Sequence, residues 1–243
     1  MPRGFGRALP LATQTDMLRR LLGFAALLQA APLPTFAAAP DHTDSSPSII
    51  ETAFRLGVPR NYADVRKLDR VAEPARLVLI GGIDALGFEQ RLTPSAARAW
   101  SRMREAAARD GVELRSVSTF RSVEVQLAIL RGKLARGQTI DRILHVSAAP
   151  GFSEHHSGRA IDITTPGYAP LEEEFERSPA FAWLSKNAQR YRFILSYPRG
   201  NPHGFAYEPW HWCWQDDDLQ PAPFESEFMT EAGSPASDRY ARQ

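Results

Sequence analysis

Two short segments constrain this chain more than anything else in it. One runs Ser153-Glu154-His155-His156-Ser157-Gly158-Arg159-Ala160-Ile161-Asp162, the other Glu208-Pro209-Trp210-His211. Together they hold two imidazoles, one carboxylate able to ligate a metal and one spare carboxylate. A catalytic zinc site has the same needs: three protein ligands, an open position for water and a base beside it. A fold that uses them jointly must bring the stretch around residue 155 against the stretch around residue 210.

Local spacing limits how this can happen. His155 and Asp162 are seven residues apart. On one continuous strand that odd spacing would turn them to opposite faces. A turn must intervene, and Ser157-Gly158 supplies it. In the second segment Pro209 forbids a regular interior strand or helix. An extended stretch with a local kink is expected there, with Glu208 leaning towards the site, His211 inside it and Trp210 walling it.

The rest of the chain reads as a mixture of helices and strands without regular alternation, which points to α+β. Segment 49–57 has the length of a short helix. Arg76–Ile80 is a strand candidate that Gly81-Gly82 ends. Thr93-Pro94 marks a helix start, with a capping hydroxyl and then proline at the first helical position; Trp100, Met103 and Ala107 fall on its inner face, and Asp110-Gly111 closes it. Val112–Ser118 reads as a strand, Ser122 opens a second helix that closes near Gly137, and Thr139 starts a third. Ala160–Thr164 alternates as a strand. Ser178-Pro179 repeats the helix-start pair before Phe181–Gln189, and Arg192–Tyr197 and Phe205–Trp214 read as the last strands.

Residues 1–39 have the order of a secretory signal: Arg19-Arg20, then the apolar run Leu21–Leu28, then the small residues Ala37-Ala38-Ala39. The run is too short to span a bilayer. Residues 40–48 read as a linker, 49–215 as the domain, and 216–243 as a polar, acid-rich tail. Of the 243 residues 43% are hydrophobic and 23% charged, enough for one domain with a core. Four arginines against one aspartate in residues 1–39 more than account for the net charge of +1, so the body is slightly acidic. That balance excludes a nucleic-acid footprint. The single cysteine, Cys213, excludes an internal disulfide. Between Trp212 and Trp214 it reads as a buried small apolar residue, with a fourth metal ligand or a thiol nucleophile as the sharper alternatives.

The two segments match Ser-x-His-x-x-Gly-x-Ala-x-Asp and Glu-x-Trp-His, and Ser118-Thr119-Phe120-Arg121-Ser122 with Gln126 is similar to Ser-x-Tyr-Arg-Ser-x-x-x-Gln. In these motifs, in this order over about residues 75–215, the chain resembles the VanY-type zinc D-alanyl-D-alanine carboxypeptidases, a group whose fold is shared by Hedgehog signalling domains. Phe120 departs from the pattern, which has Tyr there. The resemblance implies a small, mostly antiparallel sheet with flanking helices and a zinc site on the sheet. It implies one zinc per chain on His155, Asp162 and His211, with Glu208 as general base and Arg121 as the charge facing the substrate carbonyl or carboxylate. It implies substrate contacts at Ser153 and Gln126, beside the wall at Trp210. Peptidoglycan stem peptides are the expected partner, in the periplasm or cell envelope, for a monomer without a membrane span once the signal is removed. L-Alanyl-D-glutamate endopeptidase and D-Ala-D-Ala dipeptidase chemistry stay open beside carboxypeptidase chemistry, as does a non-catalytic zinc-stabilised wall-binding module. His156 is expected at the rim, His203 in a solvated turn, and Glu172-Glu173-Glu174 on a solvated face.

Overall fold

The computed structural model describes residues 48–215. The segment expected to be a signal, nearly all of the linker and the tail at 216–243 lie outside the described residues. In chain order the elements are α1 (Ile49–Arg55), α2 (Tyr62–Arg66), β1 (Val78–Ile83), β2 (Glu89–Leu92), α3 (Pro94–Arg109), β3 (Arg115–Ser118), α4 (Val123–Ala135), α5 (Ile140–Val146), β4 (Ala160–Thr164), α6 (Pro179–Asn187), β5 (Phe193–Leu195) and β6 (His211–Trp214). Short 3-10 turns cover Glu154–Ser157, Glu173–Arg177 and Ala188–Tyr191. β1 and β2 form an antiparallel hairpin, and β3-β4-β6-β5 form an antiparallel four-stranded sheet. Among the described residues no helix is long and apolar enough to cross a membrane.

The helix starts follow local chemistry. The hydroxyls of Ser122 and Ser178 accept from the amides of Val125 and Phe181 at 3.2 and 3.0 Å. These bonds satisfy amides that a helix start leaves without partners. Thr93 occupies the equivalent place before Pro94, but its hydroxyl makes no such bond and is buried without a partner. Its backbone is tied elsewhere: Thr93 N donates to Gly158 O at 2.8 Å, which joins the start of α3 to the turn of the first motif.

Trp100, Met103 and Ala107 on α3 are fully buried against Leu92, Ile161, Ile163, Trp212 and Trp214. This cluster lies under the four-stranded sheet. A second cluster joins α1, α2, α4 and α5 through Ala53, Tyr62, Leu127, Leu130, Ile143 and Phe152. The site lies where the elements over these two clusters meet.

Three expectations change. Gly81 and Gly82 do not end β1; both take positive φ (84° and 87°) inside it, and the pairing with β2 shifts register between Leu79 and Ile83. Here a pair of glycines makes a bulge, a conformation L-residues resist. Strand β2 was not expected at all. The last strand starts at His211 rather than Phe205, because Pro209 and the turn at Glu208–His211, closed by His211 N donating to Glu208 O, interrupt the extended chain before it, although Trp210 O still accepts from Ile163 N at 2.9 Å.

Candidate active site

Register sets the first pair of the cluster. β4 and β6 are antiparallel with Asp162 directly opposite His211, and Ser118 of β3 opposite Asp162 on the other side. His155 arrives by a different route. The 3-10 turn Glu154–Ser157 ends at Gly158, which is left-handed (φ 63°). A Cβ at Gly158 would stand 2.7 Å from Leu77 Cδ2 and 3.3 Å from both Pro74 Cγ and Thr93 Cγ2. Gly158 therefore answers both a backbone and a packing demand, and the turn sends His155 back over β4 towards Asp162.

The three side chains converge. His155 Nε2 is 3.4 Å from Asp162 Oδ2, His211 Nδ1 is 3.1 Å from Asp162 Oδ1, and all three offer ligand atoms within 4.8 Å of one another. Zinc bonds of about 2.0–2.2 Å at tetrahedral angles place donor atoms roughly 3.3–3.5 Å apart, so the cluster fits zinc. The far nitrogens fix the rings. His155 Nδ1 lies 2.6 Å from Thr119 O and must donate to it, which leaves the Nε2 lone pair on the site side. His211 Nε2 lies 2.8 Å from Glu154 Oε2, which leaves Nδ1 facing Asp162. A carboxylate or carbonyl behind each ligating imidazole is the usual support of a metal site. Cys213 is buried in β6 and is not in this group.

Electrostatics follow the geometry. Burial lowers the His155 imidazolium and, with Arg121 beside it, outweighs the pull of Asp162. Burial alone would also lower His211, but the carboxylates of Asp162 and Glu154 bonded to its ring raise it to about 10. Burial opposes ionisation of Asp162, yet the two histidines hold its carboxyl well below the usual range. Glu208 is different. Its Oε2 stands 3.8 Å from His211 Nδ1, beyond a hydrogen bond, and burial pushes its carboxyl up to about 7. It is the carboxylate beside the cluster that the ligand group does not use.

A cavity of about 410 Å³ opens on the cluster. Ser153, Arg121, Gln126, Trp210 and Glu208 all line it, so the expected site residues are brought together. Arg121 donates to Gln126 Oε1 (2.9 Å) and Ser118 Oγ (3.1 Å). Gln126 in turn donates through Nε2 to Ala148 O (2.7 Å) and Ser147 Oγ (3.0 Å). Both ends of the Gln126 amide thus already have protein partners, an arrangement that aims the guanidinium.

His156 is not at the rim. It is fully buried, with Nδ1 2.7 Å from Arg121 O and Nε2 accepting from Gly151 N at 3.1 Å. His203 is half-buried rather than solvated, with Nδ1 2.9 Å from Arg66 O. Glu173 and Glu176 pair with Arg199 on the surface. The sequence reading missed Glu154 behind His211, Tyr197 whose ring lies 4.7 Å from that of His211, and Lys133 on the cavity wall. Glu154 stood inside the first motif, where its charge was the available signal.

An α+β domain with a two-histidine, one-aspartate cluster, a free buried carboxylate and a guanidinium aimed into the same cavity has the equipment of a metallopeptidase. The family model for VanY, D-alanyl-D-alanine carboxypeptidase, matches residues 89–217, so the chain belongs to the VanY family. It is 35% identical over 148 residues to YodJ of Bacillus subtilis (strain 168), a match covering 57% of this chain and 53% of YodJ, so it spans about half the length of that relative. It is 30% identical over 152 residues to the bifunctional D-Ala-D-Ala dipeptidase and carboxypeptidase VanXYC of Enterococcus gallinarum, covering 59% of this chain and 76% of VanXYC. Among solved structures, the LD-carboxypeptidase LdcB is similar with a TM-score of 0.52 and 33% identity, over 58% of this chain and 69% of LdcB.

Proposed function

We propose that this chain hydrolyses the terminal D-Ala-D-Ala bond of peptidoglycan stem peptides and releases D-Ala, using one zinc ion held by His155, Asp162 and His211. The observation that carries the reading is Glu208: a carboxylate buried beside the ligand cluster, bonded to none of it, with its pKa raised to about 7. A group titrating there can accept a proton and return it at neutral pH.

Bound zinc supplies Lewis acidity, which makes water a nucleophile near neutral pH and draws electron density from a carbonyl. The chain's own residues do the rest. Glu208 takes the proton of the attacking water and gives it to the departing amine of D-Ala. Arg121, held by Gln126 and Ser118, keeps a positive charge beside the carbonyl oxygen as negative charge develops on it. His155 and His211 keep their tautomers through Thr119 O and Glu154. Trp210 and Tyr197 wall the cavity and limit water. Export is part of the proposal, supported by the basic, apolar and small-residue order of residues 1–39.

A second reading, L,D-carboxypeptidase action on a stem that ends in a single D-Ala, is favoured by the likeness to LdcB. One experiment separates the readings. The zinc-loaded protein is incubated with pentapeptide and tetrapeptide stems and the fragments are weighed. Loss of one D-Ala from the pentapeptide supports the proposal, loss from the tetrapeptide alone supports the second reading, and release of D-Ala-D-Ala means a dipeptidase. Glu208→Gln should keep zinc and lower turnover at least ~10²-fold; near-normal turnover in that variant would refute the assigned base.

A further inference from the structure

The cavity holds a second cation that the mechanism above does not use. Gln126, Ile129 and Lys133 form one stripe of α4 and all line the cavity. This double use of the helix explains its weak amphipathic pattern, since Leu127 and Leu130 face the second core cluster while the stripe faces the cavity. Lys133 lies seven residues, about 10 Å of helix, beyond Gln126. Helical side chains lean back towards the N-terminus, and a lysine stem is long enough to return its ammonium towards Gln126 and Arg121.

Two cations, Arg121 and Lys133, line the cavity with three carboxylates: Asp162 in the histidine cluster, Glu208 beside it, and Asp84. Among the described residues the Lys133 ammonium makes no hydrogen bond or ion pair. Burial and then the repulsion of Arg121 push its pKa down, against the pull of Glu208. Asp84, also on the cavity, acts on Arg121, and its Oδ1 caps its own turn through Leu86 N and Phe88 N, both at 2.9 Å. Two cations in one partly dry cavity repel each other and lose hydration. An anion placed between them reverses both costs.

We infer that Lys133, beside Arg121, seats a carboxylate of the bound peptide while Arg121 stays with the scissile carbonyl, and so sets the enzyme's preference for acidic substrates. The inference rests on the peptidase reading above. Two carboxylates could occupy the seat: the C-terminal one of the departing residue, or an acidic group further up the peptide. Either gives a charge-assisted hydrogen bond to an ammonium.

Binding to the zinc-loaded Glu208→Gln protein tests this without turnover. Four peptides ending in D-Ala-D-Ala are compared by calorimetry: one with a free C-terminus and one upstream acid, its C-terminal amide, its upstream-neutral counterpart, and a peptide lacking both carboxylates. Adding Lys133→Met should weaken binding of the first by ~10-fold or more, with zinc content and circular dichroism unchanged, and Lys133→Arg should restore most of it. The effect should vanish on the C-terminal amide if the terminal carboxylate sits there, or on the upstream-neutral peptide if the internal one does. Equal weakening of all four, no weakening of any, or no measurable binding of the first peptide overturns the seat. Failure of the peptidase reading shows separately, as absence of any released fragment from protein with Glu208 intact.

Discussion

His156 gives the most quantitative prediction, because its ring is neutral for a geometric reason. Nδ1 donates to Arg121 O and Nε2 accepts from Gly151 N, so one nitrogen must carry a proton and the other must not. Burial pushes the imidazolium down to about 4 from an ordinary 6.5. A histidine depressed in the folded state stabilises the fold fully above its unfolded pKa. As pH falls from 6.5 towards 4 the unfolded chain takes up a proton that the folded chain refuses, and that stability drains away. The gap is worth about 3 kcal/mol in full, at 1.36 kcal/mol per pH unit, and about 2 kcal/mol is gone by pH 5. His156→Ala strands the Gly151 amide and the Arg121 carbonyl at about 1–3 kcal/mol each and opens a cavity. Urea unfolding of the zinc-loaded protein, followed by tryptophan fluorescence, should show a loss of about 3–5 kcal/mol at pH 7.5. At pH 5 the wild type and the variant should differ by about 2 kcal/mol less than that. A loss under about 1 kcal/mol at pH 7.5, or the same difference at both pH values, would refute the reasoning and return His156 to the rim.

Other expectations test the metal cluster and its turn. His211→Ala should abolish tight zinc binding, measured by competition with a chromophoric chelator, while His203→Ala should leave it unchanged because His203 lies outside the cluster, with its Nδ1 on the Arg66 carbonyl. Glu154→Gln should keep the fold but weaken zinc binding about 10- to 100-fold, the usual cost of removing the carboxylate behind a ligating imidazole; unchanged affinity would deny Glu154 that role. Gly158→Ala should lower the thermal midpoint, since the alanine must adopt φ 63° against Leu77, and an unchanged midpoint would show that the turn relaxes freely.

Much of this arrangement was legible in the chain. The seven-residue spacing of His155 and Asp162 demanded a turn, and the 3-10 turn ending at Gly158 is that turn. Pro94, Ser122 and Ser178 marked helix starts within a residue. Other parts were not legible. β2 reads Glu-Gln-Arg-Leu, with Gln90 and Leu92 turned inward, so one apolar residue had to signal the whole strand. Gln90 is buried as an amide because its Nε2 reaches Ser116 O on β3, a partner no local pattern announces. His156 was misjudged for the same reason: its partners, the Arg121 carbonyl and the Gly151 amide, are backbone groups and leave no trace in side-chain pattern. Glu154 is paired with a histidine that stands in the other motif, so its role appears only after the two segments meet.

Register decides which residues can share the ion, and it does so through strand geometry. Asp162 faces His211 across the β4–β6 ladder, and Ala160 faces Cys213 two residues further along. Cys213 therefore shares a strand face with His211 but lies about 7 Å beyond it along β6. Zinc–sulfur bonds are about 2.3 Å, so the thiol could not join an ion held by Asp162 and His211 without a slip of the strand. A slip of one residue would send His211 to the opposite face, and a slip of two would put Cys213 opposite Asp162 and take His211 out of reach. The buried tryptophans Trp212 and Trp214 make both slips costly, because they alternate with the site residues and fill the core beneath the sheet. The grouping of His155, Asp162 and His211 is thus fixed by the apolar residues between them as much as by the three themselves, and the cluster opens on the cavity that Arg121, Lys133 and Glu208 line.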